Sequence, residues 1–264
     1  MSECILAEVK EGVGTLTLNR PSVLNALNAD MARALPEVLA RVASDEAVRC
    51  VVIRGAGSHF MAGGDVKFFR EALGEFEKGA DPVARIIGHV QDALRTLRGM
   101  GKPVLASVQG AAAGFGLSLM AACDLAIAAD DATFTLAYCH IGASPDGGAT
   151  YFLPRMVGFK RAMELVLLGE RFDAQHALSI GLINRVVPAS ELAGATHRLA
   201  QQLVAGPRHA YAKSKALING SMDATLAEQL DAEQSAFLAC SKTQEFAEGV
   251  TAFCEKRKPR FGDL

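Results

Sequence analysis

Apolar and polar positions alternate at the start of the chain. Ile5 to Lys10 and Val13 to Asn19 flank Glu11-Gly12, with Leu16 and Leu18 set against Thr15 and Thr17. A period of two interrupted by a turn dipeptide predicts a β-hairpin. The period then changes. After Arg20-Pro21, Asn28 precedes Met31, Leu35, Val38, Leu39 and Val42, one apolar helix face behind an N-cap residue. Pro36 falls inside this helix and is expected to bend it. Cys50 to Arg54 reads as a strand entering Gly55-Ala56-Gly57, and a second helix carries Ile86, Ile87, Val90, Leu94 and Leu97 before stopping at Gly99 and Gly101. Val104 to Val108 is a buried strand, followed by the glycine loop Gly110 to Gly116, a short apolar helix and the strand Leu125 to Ala128. No element is predicted over 68–90 ahead of Ile86. Strand, glycine loop and helix recur, an alternating α/β arrangement.

Strand signals stop beyond residue 190. Helical segments over 190–204, 208–219 and 222–255 follow, the last broken near Ser241, and Leu226, Leu230, Phe237 and Leu238 can share a face. The organisation expected is an α/β core carrying the active site over 1–195 and a helical oligomerisation region over 196–264.

Charge and composition narrow the class. The 27 Lys and Arg against 29 Asp and Glu leave a net charge of −2 with no long block of either sign, which argues against nucleic-acid or membrane-surface binding. No apolar run reaches the roughly 18 residues of a membrane span. The start MSECILAEVKEG lacks the basic and apolar stretches of a signal peptide, so a cytoplasmic chain is expected. The six cysteines show no C-x-x-C spacing and read as buried, reduced thiols rather than metal ligands or disulfides.

The glycines point to chemistry. Gly55-Ala56-Gly57-Ser58-His59-Phe60 has two glycines of a dinucleotide fingerprint but places Phe60 where the third belongs. Gly110 to Gly116 has a different spacing, and no Gly-Lys-Ser/Thr follows either loop, so a nucleotide fold is disfavoured. Two uses remain open: tight turns and close packing, or backbone N–H groups at helix-opening turns aimed at a developing negative oxygen. Met61-Ala62-Gly63-Gly64-Asp65 and Gly114-Phe115-Gly116 can each supply one such donor.

Further runs carry a resemblance. Leu18-Asn19-Arg20-Pro21 to Leu24-Asn25-Ala26-Leu27, Phe60-Met61-Ala62-Gly63-Gly64-Asp65, Val108-Gln109-Gly110 to Gly114-Phe115-Gly116, Ile141-Gly142 to Pro145-Asp146-Gly147-Gly148, and the tail Glu248 to Lys258 resemble, in order, the enoyl-CoA hydratase/isomerase (crotonase) superfamily. The resemblance implies a spiral of ββα units with a C-terminal helical trimerisation region, assembled as a homotrimer or a dimer of trimers. Its substrate would be an acyl-CoA thioester, with no further cofactor and no metal. The N–H groups of Gly64 and Phe115 would form the oxyanion hole. CoA would lie near Leu24, Ala26, Ala62, Asp65 and Val66, with Phe253 and Lys256 closing over the nucleotide.

The positions matching the family's two hydratase glutamates read Ser118 and Tyr138. A Ser hydroxyl does not ionise near neutral pH and Tyr has a pKa of about 10, so neither is a carboxylate base there. They are expected to line the substrate pocket. Asp146 stands eight residues past Tyr138, where family hydratases usually have Gly. It reads as the cap of a helix beginning near Gly147, as a catalytic base, or as both. A carboxylate there is similar to family members that shift double bonds. The motif set most resembles ring-1,2-epoxyphenylacetyl-CoA isomerases, which pair a Gly-x-Gly-x-Ser loop with an aromatic at the position of Tyr138. The expectation is an isomerase with Asp146 as its single base. Three alternatives remain: an enoyl-CoA hydratase, a catalytically silent acyl-CoA-binding or interaction protein, and a dehalogenase with Asp146 as nucleophile. The last is disfavoured by Gln91 and Tyr138 where that group has His and Trp. His89 and His140 read as packing or surface residues, and Lys67 as solvated unless it reaches CoA phosphates.

Overall fold

The computed structural model describes residues 4–76 and 81–263. Strands β1 (Ile5–Lys10) and β2 (Val13–Leu18) form the expected hairpin, with Lys10 opposite Val13. Helix α1 (Ala29–Ser44) begins where Asn28 Oδ1 accepts the Met31 N–H at 3.0 Å, and it buries Met31, Leu35, Leu39 and Val42. It continues as helix on both sides of Pro36.

Three units of one plan follow. Strand β3 (Cys50–Gly55) leads to the bridge residue Met61 and then to helices α2 (Val66–Phe76) and α3 (Pro82–Gly99). Strand β4 (Val104–Val108) leads to β5 (Ala111–Ala113) and α4 (Phe115–Ala122). Strand β6 (Leu125–Ala129) leads to β7 (Thr133–Thr135) and, after a 3-10 turn at Tyr138–Ile141, to α5 (Ala149–Val157). The chain continues through α6 (Phe159–Leu168), β8 (Phe172–Asp173), α7 (Ala174–Ser179), β9 (Arg185–Val187), α8 (Leu192–Val204), α9 (Arg208–Gly220), α10 (Leu226–Cys240) and α11 (Gln244–Cys254). The first strand of each unit joins a sheet ordered β1-β2-β3-β4-β6-β9, parallel from β2 onward. The second strand joins the layer β5-β7-β8, which Met61 extends by pairing with Ala112. This is the expected ββα spiral.

Both faces of the large sheet are covered, as its unbroken apolar strands require. Val51, Ile53, Val104 and Ala106 pack with the apolar faces of α1 and α3. Cys50, Val52, Leu105 and Ile127 pack on the other side with Leu192, Ala195, Leu199 and Ala200 of α8. The division anticipated between residues 195 and 196 thus falls inside α8, whose whole length belongs to the body's core.

Only two cysteines fit the expectation of burial. Cys50 and Cys123 are buried, and loss of water raises both thiols, Cys50 to about 12. Cys4 and Cys240 are half-buried, and Cys139 and Cys254 are exposed on turns and a helix end, where flanking apolar residues gave a misleading signal.

Past α8 the helices owe their limits to local chemistry. Thr225 and Glu228 form a reciprocal capping box at α10, and Thr243 caps α11 after the break near Ser241. Helix α9 is tied to the body by Lys215, whose Nζ lies 2.8 Å from Asp124 Oδ2 and donates to the carbonyls of Leu97 and Lys102.

Candidate active site

The site begins with an amide that cannot be exchanged for an aliphatic group. Buried Asn25 accepts the Arg20 N–H at 2.9 Å and donates from Nδ2 to the carbonyls of Ala56, His59 and Phe60. It locks the turn 20–27 onto the segment after β3. Arg20 then reaches across, donating to the Ala26 carbonyl and pairing with Asp65 at 3.0 Å. Ala62 donates its N–H to the Leu24 carbonyl at 3.0 Å. Leu24, Ala26, Ala62, Asp65 and Val66 are therefore gathered along one edge, with Leu24 and Val66 exposed. The Asp65 carboxylate is already engaged, by Arg20 and by the Lys67 N–H at the start of α2.

The same edge frees one backbone donor. Leu27 and Gly64 form a parallel bridge in which Leu27 N–H donates to Gly63 O at 2.7 Å and Asp65 N–H donates to Leu27 O at 2.9 Å. Those bonds use the neighbours of Gly64, so its own N–H points away from Leu27. On the far side Met61 N–H donates to Ala111 O at 3.0 Å, and Ala113 N–H to Met61 O at 2.8 Å. A Cβ on Gly63 would lie 3.6 Å from Gly114 Cα, which brings the two glycine loops face to face. Gly114, at φ +50°, turns the chain into α4 so that the Phe115 N–H opens the helix without an intrahelical acceptor. Among the described residues neither Gly64 N–H nor Phe115 N–H meets an acceptor. Gly116 seals the contact, because a Cβ there would stand 2.3 Å from Met61 O.

A carboxylate is held against α4, the helix that Phe115 opens. The Tyr138 hydroxyl donates to Asp146 Oδ1 at 2.6 Å. Ser118 Oγ, on the fully buried α4, lies 3.1 Å from both the Tyr138 hydroxyl oxygen and the Asp146 carbonyl oxygen, either of which can accept its single proton. Gly147 holds this loop against α4, since a Cβ would come within 2.8 Å of the Phe115 ring and 2.9 Å of Ser118 Cβ. Burial raises the Asp146 carboxyl above the ordinary carboxylate value, against the pull of the Tyr138 and backbone hydrogen bonds. Burial and then the Asp146 charge raise the Tyr138 phenol, so Tyr138 keeps its proton while Asp146 accepts. The capping role is not found. Helix α5 begins at Ala149 after Gly148 with no side-chain cap, and Asp146 serves it only through its carbonyl.

The geometry thus brings together Gly64, Phe115, Ser118, Tyr138 and Asp146. It does not bring Phe253 or Lys256 to them. Phe253 is 86% exposed at the end of α11 and lines an apolar groove with Phe246, Val250 and Phe261, while Lys256 lies just beyond on the surface. His140 is exposed on the 3-10 turn, His89 is half-buried on α3, and Lys67 is exposed. Two participants had no sequence role. Phe69 of α2 packs on Gly64, its ring 2.6 Å from where a Cβ would sit, and forms a wall beside that donor. Arg20 was part of the resembling motif, but its reach to Asp65, 45 positions away, is visible only in the fold.

Comparison with known proteins places the chain in a family. The model of the family described as enoyl-CoA hydratase/isomerase matches residues 8–264. The chain is 37% identical to the 1,2-epoxyphenylacetyl-CoA isomerase of Escherichia coli (strain K12), over 99% of each chain. It is 36% identical to the crotonyl-CoA hydratase of Syntrophomonas wolfei subsp. wolfei (strain DSM 2245B / Goettingen), over 98% of each. Its fold superposes on the crystal structure of an enoyl-CoA hydratase from Polaromonas sp. JS666 with a TM-score of 0.91 and 36% identity, covering 97% of this chain and 98% of that one.

Proposed function

Since the chain belongs to the enoyl-CoA hydratase/isomerase family, which acts on acyl-CoA thioesters, we propose that it is an enoyl-CoA isomerase using Asp146 as its single base. The observation that carries this reading is the composition of the Ser118, Tyr138 and Asp146 cluster. It holds one carboxylate, lifted in pKa by burial, and two hydroxyls that keep their protons. Hydration calls for a second group to activate water, whereas moving a double bond calls for one base that takes and returns a proton. Asp146 removes a proton from the carbon next to the thioester. The N–H groups of Gly64 and Phe115 hold the charge that develops on the thioester oxygen, and Asp146 delivers the proton two carbons on. Each such donor contributes about 2.7–4 kcal/mol in comparable holes. No resident cofactor enters these steps.

Ring-epoxide isomerisation is a second reading. It is supported by the Escherichia coli relative's name and by the aromatic side chains Phe69, Phe115 and Tyr138 around the donors and the base. CoA is assigned to the edge from Leu24 to Val66, with Phe253 and Lys256 supplied by the helical tail of an assembled trimer or hexamer. The tail's exposed Leu226, Phe237 and Phe253 support that assembly. Deleting residues 222–264 should abolish the oligomer and weaken CoA binding together. The exposed thiols Cys139 and Cys254 suit a reducing compartment, and the reading places the enzyme in the cytoplasm. Among the described residues no helix is long and apolar enough to cross a membrane.

The test is Asp146→Asn against a panel of 3-enoyl, 2-enoyl and epoxyphenylacetyl thioesters. Isomerisation should fall by about a thousandfold, and a variant within threefold of the parent would show that Asp146 is not the base. The substitution also has a stability signature. A carboxyl with a raised pKa in the fold contributes stability below the ordinary carboxylate pKa, and that contribution is lost as pH rises through the folded value. Asp146→Asn should therefore resist urea better than the parent at pH 7, with the gap closing toward pH 4.

A further inference from the structure

Asp146 has two carboxylate oxygens, and the fold treats them differently. Oδ1 accepts the Tyr138 hydroxyl at 2.6 Å, and among the described residues no side chain is hydrogen-bonded to Oδ2. Tyr138 does not float free on its turn. Its oxygen lies 3.1 Å from Ser118 Oγ, on a helix with every residue buried; because the Tyr138 proton goes to Asp146, Ser118 is the donor in this contact, with the Asp146 carbonyl at 3.1 Å as the alternative acceptor for its single proton. The three residues form a closed ring of contacts from α4 through the 3-10 turn to the loop before α5 and back to α4. No charged side chain among the described residues contributes to the shift of the carboxyl; burial raises it, and only Tyr138 and the Asp146 N–H lower it. Ser118, the side-chain contribution of α4 to the ring, is neutral.

We propose that Tyr138, seated by Ser118, is a positioning residue that occupies Asp146 Oδ1 and fixes the carboxylate so that Oδ2 is the oxygen that exchanges the proton with the substrate. The proposal rests on the reading of Asp146 as the base. As the substrate C–H bond breaks, its proton bonds to Oδ2 and its electron pair moves into the enolate whose charge lies on the thioester oxygen. When the enolate collapses, the Oδ2–H proton returns to the carbon two positions on. The Tyr138 proton stays on Tyr138 throughout. A phenol hydrogen bond is stronger to a carboxylate than to a carboxylic acid. Tyr138 therefore trades some basicity of Asp146 for a fixed aim and for a carboxylate that stays ionised at lower pH.

Tyr138→Phe removes the hydroxyl and keeps the ring. The expected result is a roughly tenfold fall in kcat, a KM for the acyl-CoA changed by less than about twofold, and an acidic limb of the kcat/KM profile moved to higher pH. Ser118→Ala should move the limb in the same direction by less, because Tyr138 keeps its bond but loses its seat. A parental kcat and acid limb in Tyr138→Phe would overturn the proposal, and so would a rise in KM with an unmoved limb, the mark of a pocket wall. Should Tyr138→Phe fail to fold by circular dichroism, an unmoved limb in Ser118→Ala would overturn it equally. Asp146→Asn measured alongside separates the failures. If it isomerises like the parent, the base has been misassigned; if it is inactive while Tyr138→Phe matches the parent, only the positioning role falls.

Discussion

Helix α1 and helix α10 are of similar length and both begin with a side-chain cap, yet they end differently. Helix α1 buries Met31, Leu35, Leu39 and Val42 under the sheet, whereas α10 buries only Ala236 and leaves Leu226 76% and Phe237 65% exposed. The first is stabilised by what it covers. The second is stabilised by its capping box and by its neighbours at the helix ends. The contrast separates forming a helix, which local chemistry suffices to direct, from completing a core, which needs a partner surface. Helices α1, α3 and α8 of the body bury their apolar faces within the chain, whereas the tail from α9 onward leaves Leu226, Phe237 and Phe253 exposed.

The sharpest way to break the body's self-sufficiency is at the backbone approach that joins its two donor loops. Gly116→Ala puts a Cβ 2.3 Å from Met61 O, forcing apart the loops that carry the Gly64 and Phe115 donors. We expect kcat to fall by about a hundredfold or more with affinity for free CoA preserved, measured by steady-state kinetics and calorimetry. Equal losses in both would show that the loop contact serves the whole site and not the donors.

Next in size is the joint between the regions. Lys215 comes from the tail, and its ammonium is buried against Asp124 and two carbonyls of the body. Lys215→Met leaves the Asp124 carboxylate short of its nearest cation and should cost about 3 kcal/mol in urea unfolding. An unchanged midpoint would mean that the tail contributes nothing to the stability of the body.

A smaller effect is expected inside the tail. Buried Glu245 of α11 accepts the backbone N–H groups of Arg208 and His209, supplying from a distant position the cap that Pro207 cannot give α9. Glu245→Ala strips both acceptors and should cost about 2 kcal/mol, readable as early loss of helicity in thermal melts. Glu245→Gln, which keeps one acceptor oxygen, should recover part of it.

The hairpin, α1 and the strands β3, β4 and β6 were legible because their periods of two and 3.6 and their caps are local. The contact of Ser118 and Tyr138 with Asp146 was not legible, though all three residues were picked out by their place in the motifs, because the hydrogen bond crosses a turn and a helix. Asp146 itself was ambiguous in sequence: the same Asp before a helix serves as cap or as base, and only the start of α5 at Ala149 decides between them. Helix α2 was missed because Gly63-Gly64-Asp65 masks its start, and Phe69 found its role only by packing on Gly64. The sequence alone determined the α/β order, the family and which side chains are available for chemistry, since these depend on residue type and spacing. Tertiary structure decided which N–H groups are free, which carboxylate oxygen is engaged and which apolar helix faces remain uncovered. Each of those depends on what a distant segment brings within 3 Å, and spacing along the chain carries no record of it.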